Sequence, residues 1–479
     1  MKVAMAASEV APLAKTGGLG DVLGTLTVAL EHLGHDPCVI APAYRTALEE
    51  RSTLTETGLT LSVPIGERQE EAAVLKAVIG KNVPAYLIRA DKYFDREGLY
   101  GTADGDYPDN AERFIFFSRA ALELLRRRPV DVLHCHDWQA ALAAVFMKIQ
   151  PERYPEAASV KTIFTIHNLG FQGVFPQSVW PLLELAPSYF TPQFLEYYGN
   201  INFLKGGLLC ADKITTVSPS YAREILSPEQ GFGLEGVLHD RAADLVGILN
   251  GVDYQQWNSW TDPYLACHYS ENTLSLKQHC KRALQRAVGL ADAGNTPLMA
   301  TISRLTSQKG FDLVERIFDL LMERQVQVVL LGSGEARFER FLQTAAARYP
   351  GRVAVEIGFN EPLAHQIEAG ADLFLMPSLY EPCGLNQMFS LKYGTIPVVR
   401  AVGGLKDTVQ DYDAANQTGT GFVFEEYAAP ALLTAIDRAL AAYRDETAWS
   451  ALKRRAMQMD FSWDRSAKLY SNLYQQLLQ

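Results

Sequence analysis

The sequence predicts two open α/β domains in tandem, each on a parallel sheet, and three features carry that reading. Short continuous apolar runs alternate with helical patterns nearly throughout, as parallel strands covered on both faces require. The chain has 479 residues, more than the roughly 250–300 at which a single core stops growing. A polar, aromatic stretch, YQQWNSWTDPYLACHYS, breaks the alternation after GILNGVD.

Taken in order, KVAMAA, DPCVIAP, VPAYLI, DVLHCH, VKTIFTIH, DKITTVS and LVGILN read as buried strands of the first half. LMATISR, VQVVLLG, VAVEIG, ADLFLMP and TIPVVR do the same for the second. Between the first two lies GDVLGTLTVALEHLG, with apolar residues at 22, 23, 26, 29, 30 and 33, the spacing of a one-faced helix. The expected division is residues 1–251, residues 252–457, and a closing amphipathic helix within 458–479 that crosses back to the first domain. Ligands of such sheets bind beyond the carboxyl ends of the strands, so a cleft between the domains is the expected site.

Composition narrows the function classes. Hydrophobic residues make up 48% and charged residues 21%, ordinary for a soluble globular protein. A net charge of −11 argues against nucleic acid or an anionic membrane as partner, since phosphate surfaces need a basic footprint. No run approaches the roughly 18 apolar residues of a membrane span. The first residues lack a signal-peptide apolar region and read as a strand. The six cysteines form no CxxC pair, which fits reduced thiols in a cytoplasm.

Chemistry-bearing residues fall at predicted strand ends. In SLYEPCGL, Glu381 stands in the turn after ADLFLMP, and Pro382 suits the first position of a helix. The amides of Cys383, Gly384 and Leu385 would then sit at a helix start, a ready anion site. A carboxylate would repel a phosphate there, so Glu381 is read as facing a neutral group beside it, such as sugar hydroxyls. KTGGLGD is a glycine-rich turn in which Lys15 and Gly18 suit an anionic ligand. It matches neither the dinucleotide fingerprint nor a Walker loop, because Leu23 occupies the third glycine position. Asp21 lies in its first helical turn. SRLTSQKGFD places Arg304 and Lys309 in a loop where two cations can clamp a pyrophosphate and neutralise a leaving group.

In HCHDWQ, His134 and His136 alternate on a strand end with no further ligand cluster, so a zinc site is not expected. Asp137 reads as a helix cap or a residue lining the cleft. His167 ends TIFTIH, Asn250 sits at the domain junction, and Phe359 ends EIGF, where it packs in the core or stacks on a base. The Gly403–Gly404 turn is read as meeting a ribose or the edge of the phosphate site.

Together KTGGLGDV, HCHDWQ, TIHNLGFQG, NGVD, SRLTSQKGFD, SLYEPCGLNQ and GGLKDTV closely resemble bacterial glycogen synthases and plant starch synthases, glycosyltransferase family 5, from the first strand to the final helix. The resemblance implies a GT-B fold, two Rossmann-like domains facing across a deep cleft. It implies retaining transfer of glucose from a nucleotide-glucose donor, ADP-glucose in preference to UDP-glucose, to the non-reducing end of an α-1,4-glucan such as glycogen or a malto-oligosaccharide. Arg304 and Lys309 would hold the diphosphate, and Glu381 and His167 the glucose. Lys15 and Gly18 would reach the phosphates from the first domain, Asp137 would lie by the acceptor, and Phe359 would lie by the adenine. No metal or prosthetic group is implied. A dehydrogenase would need other glycine spacing. A glucan phosphorylase would be a longer chain with a pyridoxal-phosphate lysine, and no segment resembles that site. A non-catalytic two-lobed binding protein would not need Glu381, Arg304, Lys309 and Lys15 all intact.

Overall fold

The apolar runs become the central strands of two sheets in a computed structural model that describes residues 1–49, 54–102 and 104–479. The first sheet has nine strands: β1 (Lys2–Ala6), β2 (Asp36–Pro42), β3 (Thr55–Ile65), β4 (Arg68–Ile79), β5 (Val83–Arg89), β6 (Val132–His136), β7 (Lys161–Ile166), β8 (Lys213–Thr216) and β9 (Leu245–Gly247). Their order is β9-β8-β7-β6-β1-β2-β5-β4-β3. All pairings from β9 to β5 are parallel. The β6 and β1 strands are buried along almost their whole length, hence their unbroken apolar character.

The expectation of a purely parallel sheet needs correcting at one edge. The β3 and β4 strands form an antiparallel hairpin, and β4 pairs antiparallel with β5. Along β4, buried Ala72 and Val74 lie on one face and buried Leu75, Ala77 and Ile79 on the other, with exposed Ala73, Lys76 and Val78 between them, so the apolar run is not continuous.

Helix α1 (Gly18–His32) follows β1 and buries Val22, Leu23, Leu26, Ala29 and Leu30. Helix α2 (Asp137–Ile149) follows β6 directly. Strand β1 has β2 on one side and β6 on the other, so the order reverses there. The loops leaving β1 and β6 are therefore the ones that part at their carboxyl ends.

The second sheet is wholly parallel: β10 (Leu298–Ile302), β11 (Gln327–Gly332), β12 (Val353–Ile357), β13 (Leu373–Met376), β14 (Ile396–Arg400) and β15 (Phe422–Phe424). The order β12-β11-β10-β13-β14-β15 puts the reversal between β10 and β13. Helices α3 (Phe311–Met322), α4 (Asn386–Lys392) and α5 (Gly403–Thr408) follow β10, β13 and β14.

Packing divides the chain into Met1–Gly251 with Trp463–Gln479, and Val252–Ser462. The C-terminal helix (Trp463–Leu478) begins five residues later than the 458 boundary expected, and 458–462 stay with the second unit. Its Trp463, Ala467, Tyr470, Leu473 and Tyr474 share a core with Val3, Leu23 and Leu26. The Tyr474 hydroxyl meets His134 Nδ1 at 2.9 Å, anchoring the helix to β6. Among the described residues no helix is long and apolar enough to cross a membrane.

Candidate functional site

In the second unit the two loops at the sheet's reversal point are tied together. Leu379 N donates to Gln308 O at 2.8 Å, and Asn386 Nδ2 donates to Ile302 O at 2.7 Å. This brings together two residues 72 positions apart. Lys309 Nζ donates to both carboxylate oxygens of Glu381, at 2.8 and 2.6 Å. Ser378 Oγ donates to Glu381 Oε2 at 3.0 Å. Glu381 is buried, whereas Lys309 keeps 18% of its side chain in contact with solvent. A partly buried, charge-assisted pair of this kind is shorter and stronger than one on the surface.

Two expectations change here. Pro382 does not begin a helix: α4 starts at Asn386, and 377–385 are loop. Gly384 takes a φ of +72°, and Gln387 Nε2 reaches back to the carbonyls of Cys383 and Gly384 at 3.1 and 3.0 Å. These contacts compact the loop before the helix begins. Nor do Gly403 and Gly404 stand open at the edge of a site. A Cβ on Gly403 would strike the Glu381 carbonyl oxygen, and one on Gly404 that of Cys383, so the start of α5 packs directly on the Glu381 backbone. Gly404 N donates to Glu381 O at 3.1 Å. Leu385 is the last residue before α4, and Cys383 is buried.

Arg304, two residues beyond β10, is exposed and donates to Gln308 Oε1 at 3.2 Å. Phe359 is no core residue: 84% of its surface is exposed, two residues beyond β12. An aromatic ring so exposed at a strand's carboxyl end remains available to a planar ligand.

In the first unit, Gly18 opens α1, and Lys15 pairs with Asp21 at 2.7 Å, both partly exposed. The turn before them hangs on Glu9, which the motif reading missed. This buried carboxylate accepts from Thr16 N and Oγ1 at 2.8 Å each, from Gly17 N at 3.2 Å, and from the Tyr100 hydroxyl at 2.7 Å. The signal was an acid inside the largely apolar run AASEVAPLA. Ser378 was also missed, although it stands three residues before Glu381 in the stretch that drew attention.

Asp137 does not cap its helix. It has a φ of +55°, and its Oδ1 accepts from His167 N at 2.8 Å, locking β6 to the end of β7. His167 Nε2 meets His136 Nδ1 at 3.0 Å, so one ring donates and the other accepts. Burial holds the pKa of His167 at about 3 and that of His136 well below the ordinary value. Both rings are therefore neutral near pH 7. His134 bonds Tyr474 and Thr165, and no group of three or more metal-ligating side chains occurs among the described residues. Asn250 is buried with an Oδ1 that accepts no hydrogen bond among them.

Burial also pushes the pKa of Asp137 up to about 7, against hydrogen bonds from the His167 and Asn168 amides that lower it. The folded protein then holds a proton that the unfolded chain releases, so stability falls as pH rises from about 4 to 7. Asp137→Asn keeps an acceptor and tolerates a positive φ. Its stability relative to wild type should climb over that window, by up to about 4 kcal/mol, and level off above it. Urea midpoints at pH 4, 5.5, 7 and 8 check this, and a difference flat with pH would contradict it.

Comparison with known proteins agrees with this architecture. The profile of the starch synthase catalytic domain matches residues 2–240, and that of glycosyl transferases group 1 matches residues 288–455. The fold is GT-B and the protein is a glycosyltransferase. A glycogen synthase of Anaeromyxobacter sp. is 49% identical over 100% of this chain and 99% of its own. Glycogen synthase 2 of Geobacter sulfurreducens is 46% identical over 99% and 98%. The catalytic domain of starch synthase IV from Arabidopsis thaliana, solved with ADP and acarbose bound, superposes with a TM-score of 0.90. It is 33% identical, and the match covers 100% of this chain and 99% of that one. The chain belongs to the family of bacterial glycogen synthases and starch synthases.

Proposed function

We propose that the protein transfers glucose, with retention of configuration, from ADP-glucose to the non-reducing end of an α-1,4-glucan. The bond from the anomeric carbon to the phosphate oxygen breaks, leaving its electron pair on ADP. A bond to the acceptor's 4-hydroxyl forms, and a proton is released with ADP. The relatives named glycogen synthase support the acceptor, and the starch synthase domain solved with ADP supports the donor.

One observation carries the reading: the Lys309–Glu381 pair at the reversal point of the second sheet. As this bond breaks, negative charge grows on the departing oxygen and positive charge on the sugar ring. A cation and a carboxylate held 2.6 Å apart supply complementary groups for both. In this reading Lys309 and Arg304 hold the diphosphate, Glu381 holds the glucose hydroxyls and steadies the ring, and the exposed Phe359 stacks on the adenine. On the first unit, His167, Asp137 and Asn250 offer neutral or readily neutralised polar groups to sugar hydroxyls, and Lys15 and Gly18 offer a cation and an open backbone suited to an anionic group. Two cations do the neutralising that a divalent ion would otherwise do, so the reaction is assigned neither metal nor prosthetic group. Six free cysteines support a reducing, cytoplasmic setting.

Release of nucleoside diphosphate, with glycogen as acceptor and ADP-glucose or UDP-glucose at equal concentration, tests this. ADP release that depends on glycogen is expected. A preference for UDP-glucose would overturn the donor, and no release from either would overturn the reaction.

A further inference from the structure

Three exposed aromatic side chains of the first unit are unexplained by the reaction just described. Tyr198 is 82% exposed, Phe171 54% and Phe232 36%. Hydrogen bonds bring their backbones together around Gln172, five residues beyond His167. Gln172 Nε2 donates to Phe232 O at 3.0 Å, and the Tyr197 hydroxyl donates to the same oxygen at 2.8 Å. Asn202 Nδ2 donates to Gln172 Oε1 at 2.7 Å, and Phe203 N donates to Gly173 O at 3.1 Å.

The backbone at two of these residues is the second observation. The strand segments Glu196–Tyr197 and Asn200–Asn202 pair antiparallel with Tyr197 opposite Asn200, which leaves Tyr198-Gly199 as a two-residue turn. Both have positive φ, +50° and +79°. Such a turn favours Asn-Gly or Gly-Gly, and a bulky first residue is strained there. Phe232-Gly233 repeats the same pair of angles, +50° and +79°. Two separate turns thus carry an aromatic ring where a small residue would sit more easily, and both rings face solvent. Strain of this kind persists where surrounding contacts over-determine it, and it gathers at ligand sites.

We propose that Phe171, Tyr198 and Phe232 form a stacking platform for successive glucose rings of the acceptor chain, outside the reacting subsite. The proposal rests on the glucan-acceptor reading and extends it to chain length. The C–H faces of glucose match rigid aromatic rings, which supply contact area at little conformational cost. The platform continues the loop that bears His167, so a chain whose end lies at His167 can run onto it. A net charge of −11 does not repel a neutral polymer.

The test exploits the strain. Tyr198→Gly and Phe232→Gly put at each turn the residue its φ prefers, so both variants should fold at least as well as wild type, with urea midpoints as the check. With both rings removed, KM for malto-oligosaccharides of about six glucose units should rise about tenfold, about threefold for each lost stacking contact. KM for ADP-glucose should not follow it. Retardation in a native gel containing glycogen should fall in parallel, and Tyr198→Phe should restore it. Unchanged retardation together with an unchanged glucan KM overturns the platform. So does loss of self-association in the variants with glucan binding intact, which would make the patch a contact between copies of the chain. The gel needs no donor sugar, so failure of the platform and failure of the ADP-glucose reading are told apart.

Discussion

Replacing Lys309 with alanine should lower kcat for glucosyl transfer by about 10²–10³, the loss expected when a group aimed at developing charge is removed. The effect has two parts. The departing diphosphate loses its cation, and Glu381, 5% exposed, loses the partner that grips both its carboxylate oxygens. Leaving a buried charge uncompensated costs about 3–5 kcal/mol in fully enclosed pairs. The shortfall here should be smaller, because Ser378 still donates at 3.0 Å and the lysine is partly solvated. Glu381→Gln should lose turnover to a similar degree, since a neutral amide cannot steady positive charge on the ring. The informative variant is the double one. If the two side chains act as a pair, Lys309→Ala with Glu381→Gln should cost far less than the product of the single losses. Single-turnover rates for the three variants, with urea midpoints alongside, decide it. Losses that multiply would mean that the cation and the carboxylate work independently.

That coupling lay beyond reading from the sequence, and the reason is geometric. Glu381, Arg304 and Lys309 were each legible, because each follows a continuous apolar run. Such runs stand out when a strand is buried on both faces. What no local pattern reports is strand order. Only the crossing that sets β10 beside β13 brings residue 309 within reach of residue 381. The same holds for Asp137, read as a cap, whose carboxylate instead accepts from an amide 30 residues later. The β3–β4 hairpin escaped notice for the opposite reason. Strand β3 alternates buried with exposed positions and β4 switches its buried face midway, and the two-residue Gly66-Glu67 turn between paired Ile65 and Arg68 was the available signal. Pro382 was over-read. A proline suits a first helical turn, but it suits an extended loop equally well, and side-chain contacts from Gln387 hold this one as loop.

Gly403→Ala should do the most damage of any single methyl group added near the site. Gly403 has a φ of +44°, and its missing Cβ would sit on the carbonyl oxygen of Glu381. A backbone atom is the least able to give way, because Gly404 N holds that same oxygen at 3.1 Å. The left-handed backbone costs an L-residue about 1–2 kcal/mol, and overpacking adds about 1–3 kcal/mol. Destabilisation of about 2–5 kcal/mol follows if the chain keeps its path. If it relaxes instead, the start of α5 and the Glu381 backbone separate, and the carboxylate leaves its place against Lys309. A displacement of about 1 Å at a reacting group is worth about 10²-fold in rate. The two routes differ in readout: an unrelaxed variant loses melting temperature, whereas a relaxed one loses kcat with Tm largely kept. Gly236→Ala serves as comparison. It lies in a helix with nothing near its Cβ position, so the same substitution should stabilise by up to about 1 kcal/mol and leave turnover alone. A Gly403→Ala protein indistinguishable from Gly236→Ala in both Tm and kcat would remove the case that α5 positions Glu381.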